Sequence, residues 1–356
     1  MQVMAGLLVG ALLVAPTWDH PGYDAEDSYF NPSAIAVRQL TPTWSASLRQ
    51  VDESCSGFSA PIVGDDQVYV TDREGVSSYG LDFGDLRIRF TWDYAYDNST
   101  PRMALAGGLL ILADDDCNSA SAPHGRLTAL DPATGRPRWD HTVGPIVSAL
   151  VDKNVILVSG SSPSDEQSVA AYRVSDGHLL WSRVDYASSG VSANGVVPLE
   201  KGDTTIAVGV STGTVRWSRP SPARVQAASP HADRFYATDG SGALLALDAA
   251  TGRTVWTAAG RASTLVAADG TRVYLASGST VTALSAATGR VVWSRKLSAA
   301  AGQPVVAAGV VYTGSRILNA ATGVPTGRTL AGLVTPAGDR LYQVDGARLT
   351  AYGPVA

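Results

Sequence analysis

Residues 129–139 read ALDPATGRPRW, and residues 246–256 repeat this motif as ALDAATGRTVW. The shared pattern is Ala-x-Asp-x-x-Thr-Gly-x-x-x-Trp, and weaker copies occur at 171–181, 207–217, 283–293 and 317–327. The glycines of the six copies stand at positions 135, 177, 213, 252, 289 and 323, so the period is 34 to 42 residues. A period of this size indicates a repeat architecture such as a solenoid, an array or a propeller.

The apolar pattern inside one unit selects among these architectures. Residues 263–296 contain four short runs rich in β-forming residues, which are separated by Gly, Asp or Ser. Such runs predict strands joined by turns, and no segment carries the long 3.6-residue stripe of a helical repeat. Four strands in about 40 residues form one blade of a β-propeller. We therefore predict an all-β propeller of four-stranded antiparallel blades.

The motif covers the third strand of a blade, the following turn and the start of the fourth strand. Gly tolerates the positive φ that such a turn requires, and the Asp side chain can cap nearby backbone N–H groups. The Trp four residues later lies on the outermost strand, where it can pack between blades. The predicted structural residues are Ala129, Asp131, Gly135, Trp139, Gly177, Trp181, Gly213, Trp217, Asp248, Gly252, Trp256, Gly289 and Trp293.

The number of blades follows from the two ends of the repeat region. The last unit supplies only three strands, and its fourth is predicted in LTPTWSASL, residues 40–48. Pairing this N-terminal strand with the C-terminal blade closes the ring and removes its free edges. The outer-strand positions are then Trp44, Trp92, Trp139, Trp181, Trp217, Trp256, Trp293 and a degenerate stretch near Arg328. This predicts eight blades; seven is the alternative, because the first and seventh units are eroded.

The domain plan has three parts: residues 1–17, a lead-in at 18–39 and a single propeller at 40–356. The apolar run Met4–Ala15 is too short to span a bilayer, which takes about 20 residues, but it matches the core of a signal peptide. We expect an extracytoplasmic bacterial protein; an apolar N-terminal segment without an export role is the alternative. The net charge of −5 and the lack of a basic stripe argue against nucleic-acid binding. We expect a monomer without an integral membrane span.

The repeated motif resembles the tryptophan-docking repeat of the pyrroloquinoline quinone (PQQ) propellers, over about residues 40–352. That superfamily contains quinoprotein dehydrogenases and BamB-like assembly proteins. The residues Trp18–Leu48 also resemble the lead-in of secreted bacterial members. The resemblance implies the fold strongly and the function weakly, because the motif is structural. We expect a non-catalytic scaffold for an unknown protein or glycan partner. A PQQ-dependent oxidoreductase is the alternative, and a carbohydrate-binding or carbohydrate-acting propeller is the third.

Catalytic motifs are scarce. The quinoprotein enzymes that the chain resembles often carry two adjacent cysteines and a Ca²⁺ site, whereas Cys55 and Cys117 lie 62 positions apart. We therefore expect no cofactor, with PQQ and Ca²⁺ as the alternative. The string GVSTG at 209–213 matches Gly-x-Ser-x-Gly, but it falls on a repeat turn rather than a strand-to-helix elbow. No catalytic residue is predicted.

Two features mark where binding is expected. The run Asp114, Asp115 and Asp116 could supply oxygen ligands to Ca²⁺, although acidic runs are usually solvated loop. Propeller topology places this run near the long connection at 93–101, on the face that carries the connections between blades. Loops on a rigid scaffold concentrate binding residues. The candidate binding face is Asp93, Tyr94, Tyr96, Asp97, Asp114, Asp115 and Asp116.

The two cysteines are predicted to form a disulfide. An even count in an exported chain favours pairing, and the predicted topology places Cys55 and Cys117 on the same face in adjacent blades. In the chain-entropy model such a bond stabilises by up to roughly 4 kcal/mol. Thiol titration of the native protein should find no reactive cysteine. Two reactive thiols would contradict the prediction.

Overall fold

The computed structural model describes residues 18–34, 41–50, 56–92, 99–115, 124–161, 166–258, 260, 263 and 265–353. These residues form 32 strands and no helix, and the strands make eight sheets. The eight sheets are the blades of a propeller, as predicted. Two strands precede the first blade: β1 (Phe30–Asn31) and β2 (Pro42–Ser47).

The first four blades follow each other along the chain. Blade one contains β3 (Ile62–Val63), β4 (Gln67–Asp72), β5 (Gly75–Gly80) and β6 (Leu86–Thr91). Blade two contains β7 (Arg102–Ala106), β8 (Leu109–Asp115), β9 (Gly125–Leu130) and β10 (Pro137–Val143). Blade three contains β11 (Ile146–Asp152), β12 (Val155–Ser161), β13 (Gln167–Arg173) and β14 (Leu179–Val184). Blade four contains β15 (Val196–Lys201), β16 (Thr204–Gly209) and β17 (Val215–Arg219), and its inner strand is reduced to two isolated bridges, Ala187–Glu200 and Ala193–Val196.

The last four blades complete the ring. Blade five contains β18 (Arg224–Ala228), β19 (Arg234–Thr238), β20 (Leu244–Asp248) and β21 (Thr254–Ala258). Blade six contains β22 (Leu265–Ala268), β23 (Arg272–Ser277), β24 (Thr280–Ser285) and β25 (Val291–Lys296). Blade seven contains β26 (Val305–Ala307), β27 (Val310–Thr313), β28 (Arg316–Asn319) and β29 (Pro325–Thr329). Blade eight contains β30 (Leu333–Ala337), β31 (Arg340–Asp345) and β32 (Arg348–Tyr352).

The eighth blade takes its outer strand from the other end of the chain. Strand β2 pairs antiparallel with β32, and Trp44 lies opposite Ala351. The predicted closure and the count of eight blades are therefore confirmed. Arg49, which follows β2, donates to Asp72 in blade one across 2.9 Å, and the side chain of Asp72 is fully buried. This ion pair fastens the closing strand to the first blade.

Tryptophans of the outer strands join each blade to the next. Each indole Nε1 donates to a main-chain carbonyl of the next blade, three residues before the turn glycine of that blade. The indole also lies over this glycine, where a Cβ atom would collide with the ring. Six interfaces follow this rule, with Nε1–O distances of 2.8–3.0 Å: Trp44–Leu81, Trp139–Val174, Trp181–Val210, Trp217–Ala249, Trp256–Ala286 and Trp293–Ala320.

The interface between blades one and two does not follow the rule, and here the prediction for Trp92 was wrong. Ile88 is the residue of β6 that lies opposite Ser78 and packs against Gly135, whereas Trp92 follows the strand and is buried elsewhere. The carbonyl of Pro132, which an indole would otherwise bind, accepts bonds from Gln67 and the hydroxyl of Tyr69.

The interface between blades seven and eight is the second exception. In the other blades the docking tryptophan stands two residues after the start of the register shift in the outer strand. In β29 the register shifts between the pairs Leu318–Pro325 and Arg316–Thr329, and Gly327 stands at this position. Blade eight has no turn between its third and fourth strands, because β32 and β2 come from distant parts of the chain. The turn on which a tryptophan would dock is thus missing from this blade.

Two faces of the ring differ in their connections. The turn face carries the turns after the first and third strands of each blade, such as 229–233 and 249–253 in blade five. The loop face carries the connections after the second and fourth strands, such as 239–243 and 220–223. On the turn face the predicted capping is present: the side chain of Asp248 accepts from the N–H of Thr251 at 2.9 Å and from its hydroxyl at 2.7 Å.

Replacing a docking glycine should destabilise the ring more than a positive φ alone would. Gly289 has φ +68°, and its Cβ would lie 2.5 Å from Cε3 of Trp256. Gly108 has φ +74° with open space around it, so Gly108→Ala is the matched control. The left-handed conformation costs about 1–2 kcal/mol in either variant, and overpacking adds about 1–3 kcal/mol only in Gly289→Ala. Urea denaturation should show this difference in the free energy of unfolding. Equal losses would refute the docking role of the glycine.

Candidate functional site

The lead-in, described here for residues 18–34, lies inside the ring. It runs along the turn-face end of the central channel and bonds to the inner strands of all eight blades in order. The first four contacts are Trp18 N–H to Val63, Leu105 N–H to Asp19, His20 Nε2 to the carbonyl of Val151, and Ser192 N–H to Ala25. The next four are Ala228 N–H to Glu26, Ala268 N–H to Ser28, Val306 N–H to Tyr29, and Asn31 Nδ2 to the carbonyl of Pro336. We call this segment the channel floor.

Two ends anchor the channel floor. Trp18 is 1% exposed and exchanges two main-chain hydrogen bonds with Val63, at 2.8 and 2.9 Å. At the other end, β1 adds a parallel strand to the inner edge of blade seven. Parallel and antiparallel strand addition satisfies backbone groups that would otherwise remain open at the channel end. The described part of the lead-in segment therefore packs inside the ring.

His20 is held in one orientation inside the floor. Its Nε2 lies 2.7 Å from the carbonyl of Val151, which can only accept, so Nε2 carries the hydrogen. Its Nδ1 lies 2.7 Å from Oδ1 of Asp19. Burial works to lower the pKa of His20, but the hydrogen bond and charge of Asp19 outweigh it, and the pKa is raised. Asp19 thus stabilises the imidazolium form of His20.

Three acidic side chains of the floor share this environment. Burial raises the pKa of Asp24 to about 7, although the N–H and hydroxyl of Ser28 donate to its carboxyl and pull the other way. Burial also raises the pKa of Asp27 to about 7, against the positive charges of His20 and Arg102. Burial likewise raises the pKa of Glu26, against the bond from the N–H of Asn194. Two carboxyls of the floor therefore titrate close to neutral pH.

A cavity of about 600 Å³ opens on the loop face across blades four, five and six. This volume lies within the range of ligand sites, about 300–1,000 Å³. Its lining combines charged, polar and aliphatic side chains, among them Glu200, Arg224, Gln226, Thr238, Asp239 and Leu265. Arg224 and Gln226 alternate with the buried Val225 and Ala227 along β18, so the inner strand of blade five presents its polar side chains to the cavity.

The acidic groups of this cavity have different surroundings. Oδ1 of Asp239 accepts from the N–H of Ser241 at 2.9 Å, from its hydroxyl at 2.7 Å and from the N–H of Ala243 at 2.9 Å. These bonds lower the pKa of Asp239 and hold it in the loop. Burial raises the pKa of Glu200, while the positive charge of Arg224 opposes that rise.

The predicted binding face is only partly visible. Asp114 is 3% exposed within β8, and burial raises its pKa to about 7, against the positive charge of Arg126. Asp115 is half-buried, and its Oδ1 accepts from the N–H of Ile146 at 3.3 Å. Asp114 thus belongs to the interior of blade two. Asp93, Tyr94, Tyr96, Asp97 and Asp116 lie outside the described residues, as do Cys55 and Cys117, and the predictions for them stay untested.

A PQQ–Ca²⁺ centre needs side-chain donors that converge on the ion. Within the part of the chain that the structure describes, no three His, Cys, Asp or Glu side chains converge as metal ligands. The channel floor also carries Asp24, Glu26 and Asp27 against the positive charges of His20 and Arg102, and the ionised forms of these carboxyls would repel the carboxylates of PQQ. The described residues therefore do not fit a PQQ–Ca²⁺ centre. Ser211 of the Gly-x-Ser-x-Gly string lies exposed in the turn between β16 and β17.

Sequence reasoning missed both the channel floor and the cavity. One indication of the cavity was present in the sequence: Arg224 and Gln226 alternate with apolar residues in RVQAA, an inner strand. The indication of the channel floor was weaker: the run Tyr23–Tyr29, before the first repeat, is rich in acidic and aromatic residues. Neither follows the repeat period, so alignment of the motif could not reveal them.

Fold and floor together define an eight-bladed tryptophan-docked propeller with a self-filled channel end. The chain belongs to the family described as outer membrane protein assembly factor BamB, whose profile matches residues 41–149, 103–207 and 165–347. No curated protein matches the chain. Among the described residues, no helix is long and apolar enough to cross a membrane.

Solved structures share the fold at low identity. BamB from Moraxella catarrhalis is 20% identical, with a TM-score of 0.62 over 88% of this chain and 98% of that one. Quinohemoprotein alcohol dehydrogenase from Comamonas testosteroni is 14% identical, with a TM-score of 0.67 over 95% and 80%. A europium-containing methanol dehydrogenase is 12% identical, with a TM-score of 0.64 over 95% and 98%. At these identities the likeness establishes the fold alone.

Docking of the floor should weaken as the pH rises. The raised pKa of Asp27 means that its neutral form stabilises the folded state fully below about pH 4, and that this contribution is lost as the pH rises through about 7. Asp27→Asn keeps the neutral form at every pH. One pKa unit corresponds to about 1.4 kcal/mol, and the partial exposure of Asp27 reduces the effect. Between pH 5 and 8 we therefore expect the free energy of unfolding to fall by about 1–3 kcal/mol less in the variant than in the wild type.

Urea denaturation at several pH values measures this difference. Asp203→Asn, which removes an exposed carboxylate from a loop of blade four, is the control and should follow the wild type. Parallel pH curves for the wild type and Asp27→Asn would contradict the assignment.

Proposed function

We propose that this chain is a non-catalytic, extracytoplasmic scaffold that binds a protein partner through its loop face. The observation that carries the proposal is the channel floor. Because residues 18–34 bond to the inner strands of all eight blades, the turn-face end of the channel is taken up by the chain itself. The loop-face end of the channel, where the cavity opens, is then left for a partner.

The rigidity of the ring supports the same function. Six indole–carbonyl bonds and the floor tie all blades together, so a partner would meet a preformed surface and little ordering of the scaffold would oppose binding. The family description, outer membrane protein assembly factor, places its namesake in an assembly role, which we extend to this chain as a protein-binding role. The apolar run Met4–Ala15 supports export.

A quinoprotein oxidoreductase is the second candidate, since the alcohol and methanol dehydrogenases share the fold. The acidic floor and the missing metal donor set in the described residues count against it. Purified protein with PQQ and Ca²⁺ should show no dye-linked oxidation of alcohols or sugars. Clear turnover would overturn the non-catalytic part of the proposal.

Site-specific photo-crosslinking in the exporting cell tests the binding part. A benzophenone amino acid at Ser277, exposed beside the cavity, should crosslink to one defined protein. The same amino acid at Phe83, which is 84% exposed on the turn face, is the control and should not. The partner is then purified, and loop-face substitutions should weaken its binding to the full chain at least tenfold. Equal adducts at both positions, or an adduct at Phe83 alone, would refute a loop-face partner.

A further inference from the structure

The cavity on the loop face contains one strong donor that the fold leaves available. Arg224 is exposed at the first position of β18, and within the described residues its guanidinium makes no hydrogen bond or ion pair. Its main chain pairs with Thr238 in the β-ladder, and Nε2 of Gln226 donates to its main-chain carbonyl at 3.2 Å. Glu200 interacts with it through space from the neighbouring blade. The N–H groups of this side chain are thus available to a ligand in the cavity that Arg224 lines.

The other charged groups of the cavity define what Arg224 can bind. Asp239 is held by its loop, and Arg219 lies close enough to interact with it electrostatically. Glu200 and Asp239 are acidic residues on two walls of the cavity. Their charge repels a ligand that carries several negative charges, such as a phosphate. A single carboxylate suits the arginine fork, which binds both carboxylate oxygens in one plane.

The remaining lining indicates the rest of the ligand. Gln226 and Thr238 add amide and hydroxyl groups, and Pro222 and Leu265 add aliphatic surface. These are the partners that an extended peptide needs, namely hydrogen bonds for its backbone and apolar contact for its side chains. The cavity is far larger than one carboxylate, so neighbouring residues of a peptide can enter with it.

We propose that this cavity binds a peptide carboxylate of the partner protein, with Arg224 as the anchoring residue. The carboxylate is either an acidic side chain or a free C-terminus. Gln226 and Thr238 bond the adjacent peptide groups, and Glu200 disfavours more highly charged anions. This inference rests on the proposed function, because it names the chemistry by which the loop face recognises its partner.

Calorimetry on the full chain with four pentapeptides of one neutral sequence tests the site. The first has a free C-terminus, the second is amidated with a central Glu, the third is amidated and neutral, and the fourth is amidated with a central phosphoserine. One of the first two should bind, which identifies the source of the carboxylate. The neutral and phosphoserine peptides should bind at least tenfold more weakly. Binding by neither carboxylate peptide, or equal binding by all four, overturns the proposal.

Variants assign the binding to the arginine. Arg224→Gln should lower the affinity about tenfold or more, since a hydrogen bond to a charged group contributes about 1.5–3 kcal/mol. Arg224→Lys keeps the charge but loses the paired N–H groups of the guanidinium, so its affinity should lie between those of the wild type and Arg224→Gln. Arg253→Gln removes the same charge from an exposed position of the turn face and should change nothing. Glu200→Gln should strengthen binding a few-fold. Unaltered unfolding curves exclude misfolding as the cause.

The outcomes separate this inference from the proposed function. If the crosslinked partner binds the loop face but Arg224→Gln leaves its affinity unchanged, the carboxylate site fails and the scaffold stands. If carboxylate peptides bind through Arg224 but no protein crosslinks at Ser277, the site stands as a small-ligand site and the scaffold proposal fails.

Discussion

The bond from an outer-strand indole to a carbonyl of the next blade is the contact on which the ring depends. It is present at six of the eight interfaces, between a tryptophan N–H, a carbonyl and a glycine that has no Cβ to hold the indole away. Its two exceptions show what it requires. At Pro132 the indole is replaced by Ile88, and Gln67 and Tyr69 take over the carbonyl. At blade eight the accepting turn does not exist, and the preceding blade carries Gly327 where the tryptophan would stand.

The channel floor imposes a second constraint, from inside. Each indole–carbonyl bond joins two adjacent blades only. Residues 18–34 contact the inner strands of all eight blades and so couple blades on opposite sides of the ring. The coupling has an electrostatic cost, because Asp24 and Asp27 are held where burial raises the pKa of each to about 7. His20 and Arg102 offset part of this cost. The raised pKa values of Asp24 and Asp27 predict that the interior of the ring responds to pH, whereas the indole–carbonyl bonds of the outer interfaces join groups that do not titrate in this range.

The repeat allowed the fold to be predicted from the sequence, and the features that depart from the repeat could not be predicted in the same way. Period, turn glycines and alternation predicted blades, closure and count, because each of these is a local property that recurs. Trp92 was assigned to a docking position by its type and spacing, but pairing places Ile88 there. The floor could not be predicted, since its partners lie up to 305 positions away and its sequence occurs once. Arg224 could be noticed on an apolar strand, but its lack of an ion pair depends on the position of Glu200, in another blade.

The two faces of the ring differ in how far their residues are already committed. On the turn face, the motif side chains bond within their own turns, as Asp248 does with Thr251, and the floor occupies the channel end. Substitution there acts on stability first. On the loop face, the side chain of Asp239 bonds within its own loop in the same way, whereas the guanidinium of Arg224, on the inner strand of the same blade, makes no hydrogen bond or ion pair within the described residues. A charged side chain without a fold-stabilising partner costs the scaffold little to retain and offers a ligand its full hydrogen-bonding capacity. For this reason we place the proposed recognition site on blades four to six, in addition to the irregular connections of blades one to three.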